Sequence, residues 1–146
     1  MRELRVLSVA VLALLSDSLI ALAEGKSSQN SAGYVPTLRE IMTKVELGRS
    51  KLWYSVKLRN WILARYQLGQ VRAGFIDATR FHLLSNSEVA STHKIADLVE
   101  TSIKDKDDKL FQEYFAQMTT ECNSCHKAVG KPFLHVGTPK VPSPLQ

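Results

Sequence analysis

"KLFQEYFAQMTTECNSCHKAVG", residues 109–130, carries the clearest period in the chain. Phe111, Phe115, Met118, Cys122 and Cys125 recur at three- and four-residue steps, with Tyr114 beside them, so they fall on one stripe of a helix. Asp107 or Asp108 stands where a carboxylate would cap the first free amides, and Gly130 and Pro132 stand where a helix stops. Working upstream, the same period returns three times. Leu38, Ile41, Met42, Val45, Leu52 and Val56 mark a helix to about residue 57, with Pro36 at a first helical position and Glu40 in the first turn. Asn60 caps a second, with Trp61, Ala64, Leu68, Val71, Phe75 and Ala78, ending near His82 or Leu83. After "LSNSEVAS", read as a polar connector, a shorter third helix starts near Ser91 and carries Ile95, Leu98, Val99 and Ile103. "KDKDD" makes the last turn. No run alternates with period two and no repeat is visible. Four amphipathic helices with mostly short connections predict an all-α fold, an antiparallel four-helix bundle over residues 36–130.

The N-terminus sets the expected compartment. "MRELR" is basic, "VLSVAVLALL" (6–15) is apolar, and Ala21, Leu22 and Ala23 offer the small residues that a signal peptidase reads. Residues 1–23 therefore read as a secretory signal peptide, which implies export to the periplasm and no membrane association after cleavage. The apolar run is short for a membrane span, and Asp17 follows it. Residues 24–35, rich in Ser, Gly and Asn, read as a disordered lead-in. Residues 131–146 form a Pro-rich tail expected to be disordered, the alternatives being that it covers a cofactor edge or docks a partner. The net charge of +5 survives loss of the signal segment, because Arg2 and Arg5 balance Glu3 and Asp17. Its lysines and arginines are scattered among acids, which gives nucleic-acid binding little support and favours acidic protein partners.

"CNSCH" (122–126) holds both cysteines of the chain. On a helix Cys122, Cys125 and His126 are i, i+3 and i+4, stacked on one face over a single turn. Two thiols can then bond the vinyl groups of one haem while the adjacent imidazole reaches its iron; C-x-x-C-H is the attachment signature of c-type haem. A bridge between the two cysteines would close too small a loop to staple a fold. A thioredoxin-like dithiol belongs at a helix N-terminus after a strand, and zinc would need four ligands.

A helical exported chain with "CNSCH" on its last helix resembles the class II c-type cytochromes, the cytochrome c-prime superfamily. "KLWYSVKLRNWILARYQLG" (51–69) is similar to small exported proteins of that kind. The resemblance implies a haem-bearing four-helix bundle, a carrier rather than an enzyme, and a possible homodimer through the first two helices. It departs from the family in the added tail. The predicted function is one-electron transfer by a monohaem cytochrome with haem c attached near the end of the last helix, working with redox partner proteins. The alternatives are a gas-binding protein for NO or CO with no protein ligand in the sixth position, and a haem-free thiol–disulfide oxidoreductase.

Bundle topology brings Met42, His82 and His93 to the same end as His126. Met42 is the preferred sixth iron ligand. It belongs to the first apolar stripe, and low-spin relatives take a methionine from their first helix. Methionine raises the potential, which suits a carrier fed by a quinol-side donor. His82 reads as exposed or capping; His93, opening helix three, and His135 read as solvated. Met118 lies two turns from His126 on its own helix, about 12 Å along the axis, on the wrong side of the iron. Trp53, Trp61, Phe75, Phe111, Tyr114 and Phe115 read as core, some of them lining the cofactor. Lys127 or Lys131 could meet a propionate.

Overall fold

The computed structural model describes residues 33–141. The signal peptide and most of the lead-in expected from the sequence lie outside them. Within the described residues the chain forms α1 (Leu38–Lys57), α2 (Trp61–Arg80), α3 (Asn86–Asp105) and α4 (Asp108–Ala128), with no strand. No helix among them is long and apolar enough to cross a membrane.

Each helix starts on a side-chain cap. Asn60 and Asp107 accept the amides of Leu63 and Leu110 at 3.0 and 2.9 Å. Thr37 and Ser85 form full capping boxes: each hydroxyl accepts the amide three residues on, and Glu40 or Glu88 reaches back to the cap's own N–H. The second box corrects the sequence expectation for α3. "LSNSEVAS" is not a connector, because Ser85 and Glu88 begin the helix five residues before Ser91, and α3 is as long as α1 and α2. Pro36 similarly precedes the Thr37 cap instead of opening α1.

All four helices stop in the same way. Arg59, His82, Lys106 and Gly130 sit in the left-handed region, with φ of 56°, 55°, 54° and 73°. In each case the next amide returns to the carbonyl five residues back, as in Asn60 to Ser55 (2.8 Å) and Lys131 to His126 (2.7 Å). Three of these positions carry a side chain where glycine is least strained.

Side-chain contacts join the helices into a bundle. Gly48 lies against Val71 and Gly74 against Val45 between α1 and α2. Arg72 reaches Asp97 and Glu100 (2.8 and 3.1 Å) between α2 and α3. Trp53 meets Phe111 and Phe115 between α1 and α4. Glycine at 48 and 74 lets the α1 and α2 backbones approach closely, whereas α1 and α4 stand further apart.

The core has two layers. Leu52, Leu68, Val99, Ile103, Phe111, Phe115 and Met118 fill one end, with Trp53, Trp61 and Tyr114 packed on it. Ile41, Val45, Val71, Phe75, Leu84 and Val89 fill the other. Buried hydroxyls do not disturb this packing. Ser55, Thr92 and Ser102 donate to carbonyls of their own helices at 2.6–2.7 Å.

A Cβ at Gly74 would drive into the Val45 side chain. Gly74→Ala is therefore expected to cost about 1–3 kcal/mol, while Lys106→Gly, relieving the left-handed strain at φ 54°, gains about 0.5–1 kcal/mol. Urea melts of the two variants check both signs.

Candidate haem-attachment site

The last two turns of α4 carry the whole motif, because Gly130 ends the helix only after His126 has been placed. The three side chains fan outward around the turn. Cys122 is half-buried and packs on the aromatic core layer. The Cys125 sulfur lies 4.0 Å from the Glu88 carbonyl, against the first turn of α3. The His126 Nδ1 lies 2.9 Å from the Leu134 carbonyl. A carbonyl only accepts, so in the neutral ring Nδ1 bears the proton and Nε2 keeps its lone pair.

Both cysteines are free thiols. Burial pushes the Cys122 thiol up to about 11 from an ordinary 9.0, against a smaller opposing pull from Arg49. Burial raises Cys125 as well, helped by Glu88 and Glu121. Thiols held protonated at neutral pH, at the negative end of a helix, make weak nucleophiles, which counts against dithiol redox chemistry.

The opposite wall follows from register. Trp53 packs on Phe115 at 4.9 Å between centroids, and Arg49, one turn back on α1, lies over the same ring at 5.1 Å and donates to Thr119 at 3.2 Å. One turn back on α1 thus matches one turn forward on α4. Continuing by seven residues on each helix pairs Met42 with His126, on the faces that carry Arg49 and Thr119. Val129, just beyond His126, packs on the same core layer as Leu38 and Met42. Phe81 and Leu83, which carried no sequence signal beyond their hydrophobicity, complete this half-buried apolar group.

The other candidates are placed differently. His82 is exposed in its left-handed position after α2, as expected of a capping residue. His93 is neither solvated nor at the helix start: α3 begins at Asn86, and the imidazole is half-buried, edge-on to Phe75 at 6.4 Å. Cys125 is level with Glu88, so His93 sits five residues, about 8 Å, deeper along α3 than the motif. Met118 is core. Of the six aromatics, Phe75 belongs to the layer on which Val129 packs, and the other five belong to the layer on which Cys122 packs. His135, Lys127 and Lys131 are exposed.

The tail departs most from expectation. Residues 131–141 run along the α1–α4 seam. Beyond Leu134, Asn123 donates to the Val136 carbonyl (3.0 Å) and accepts its amide (2.9 Å). Arg49 donates to Gly137 (2.7 Å) and Tyr54 to Pro139 (3.2 Å). A Pro-rich terminal segment reads as disordered, but residues 134–139 are held through their backbone, which leaves no trace in sequence.

Do these residues fit a c-type haem? Two free thiols and an imidazole with a free Nε2 occupy one turn, and an apolar wall with a thioether stands level with them; the donor set fits. Among the described residues, no three His, Cys, Asp or Glu side chains gather around a single ion. Two surface grooves, about 380 Å³ between α1 and α2 and about 570 Å³ between α3 and α4, lie away from Cys125, His126 and Met42.

In the haem-free chain at pH 8, iodoacetamide is expected to label Cys125 well before Cys122. Because a raised thiol pKa stabilises the fold below pH 9 and is lost as pH rises towards 11, alkaline unfolding should be delayed in Cys122→Ala relative to its own neutral-pH stability. Compared with known proteins, the chain matches no family model, no curated protein and no solved structure.

Proposed function

We propose that this chain is an exported monohaem c-type cytochrome that carries single electrons between partner proteins. The observation that carries this reading is the C-x-x-C-H turn at the end of α4, with the His126 Nδ1 proton given to a backbone carbonyl. That hydrogen bond selects the tautomer a metal takes, and outer-shell bonds of this kind are the usual companions of ligating imidazoles.

When bound, haem supplies one-electron chemistry at its iron. The protein's part is to hold, orient and shield. Cys122 and Cys125 would form the two thioethers and His126 would ligate through Nε2. Met42 would face it from α1, its level supported by the Arg49–Thr119 register. Leu38, Phe81, Leu83 and Val129 would keep water from the group, and an apolar, water-poor wall favours the reduced, less charged centre. The exposed Lys127 and Lys131 suit propionates or an acidic partner surface. A homodimer through α1 and α2 has support in the exposed Ile62, Tyr66 and Ile76 of α2 and Leu47 of α1.

The secreted product is expected to carry an adduct of about 616 Da that survives denaturation; an unmodified mass defeats the proposal. Met42→Ala should convert low-spin to high-spin iron and abolish the weak ferric band at about 695 nm that marks methionine ligation. If the native protein lacks that band and binds carbon monoxide readily, the gas-binding alternative replaces the carrier.

A further inference from the structure

We propose that residues 131–141 are a strap built to hold His126, with the Leu134 carbonyl fixing the ring as its Nδ1–H tautomer. Four consecutive anchors support this. The carbonyls of Leu134 and Val136 turn to α4, where His126 and Asn123 meet them. Those of Gly137 and Pro139 turn to α1, where Arg49 and Tyr54 meet them. In an extended chain, carbonyls two apart point the same way and neighbours point oppositely. The 134, 136 and 137, 139 pairing is therefore what a ribbon lying in a seam between two helices must show.

Composition now has a physical reason. Pro132 and Pro139 bring a carbonyl but no N–H, so the ribbon accepts from both helices while leaving fewer donors to satisfy. The Val136 amide, one donor it does retain, is taken by Asn123. Asn123 thus grips the strap with both ends of its amide, two residues past the carbonyl that His126 uses, and sets that carbonyl's position. Asn123 and Leu134 act through His126 and are positioning residues.

The role rests on the haem reading. A ligating imidazole whose Nδ1 proton is given to a carbonyl is a stronger donor through Nε2 and favours the oxidised metal. The strap would therefore hold the potential below the value that His126 would confer if its Nδ1 faced only water.

The test has two arms. In the haem-free full chain, labelled with ¹⁵N-histidine and held at a pH where the ring is neutral, His126 should show Nδ1 as the protonated nitrogen. Asn123→Ala, and separately deletion of residues 131–146, should shift it to a mixture weighted to Nε2–H, the form free histidine prefers. Helix content by circular dichroism should be retained in both variants. An Nε2–H ring in the intact chain, or a signal unchanged by both variants, overturns the strap. In the second arm, the haem-loaded variants should show a raised midpoint potential with the thioether adduct intact. Adduct present but potential unmoved overturns the tuning role alone. No adduct in any form overturns the haem reading and the tuning role with it, leaving the tautomer result to decide the strap.

Discussion

A buried guanidinium organises the molecule. Arg49 is 1% exposed, yet it binds Glu46 through two nitrogens at 2.7 and 2.9 Å, Thr119 on α4 and Gly137 in the strap, and lies over the Phe115 ring. An arginine taken out of water is costly unless its donors are met and its charge answered. Here the answering charge is Glu46, 46% exposed and so itself still partly hydrated. Satisfying one planar fork in these directions ties three segments together, setting the height of α1 against α4 and the depth of the strap in their seam. A lysine, with its single compact charge, could not tie all three.

The two core layers divide the work. The layer on which Cys122 packs is rich in aromatics, with Trp53, Phe111 and Phe115 in tilted contact at 4.9–6.1 Å. Such stacks are worth about 0.5–1.5 kcal/mol per pair beyond area burial. The other layer is mostly aliphatic, with Phe75 its one buried aromatic, and its rim of Leu38, Met42, Phe81, Leu83 and Val129 is only partly buried. The adaptable, unbranched Met42 belongs to that rim. The Gly48 and Gly74 contacts draw α1 onto α2, while the α1–α4 seam stays wide enough for a strand of backbone.

Much of this was legible in the sequence. The helical period exposed all four helices, and Asn60 and Asp107 cap as their residue types predict. The C-x-x-C-H spacing on α4 needed no structure. The start of α3 is hidden in the sequence because Ser85 and Glu88 look like loop polarity, although they form a reciprocal cap; with the start placed near Ser91, His93 falls at the helix opening and in solvent. The tail was missed for a different reason. Its anchors are main-chain carbonyls, which every residue has, received by Asn123, Arg49 and Tyr54, far away in sequence. Periodicity reports side chains that seek an apolar core, and it is blind to a ribbon held by its backbone.

A main-chain carbonyl cannot be deleted by substitution, so the anchorage of 134–139 is carried by the side chains that receive it: His126, Asn123, Arg49 and Tyr54. Exchanges along the ribbon that keep its backbone path leave those bonds in place, whereas truncation of any one receiver removes its bond outright.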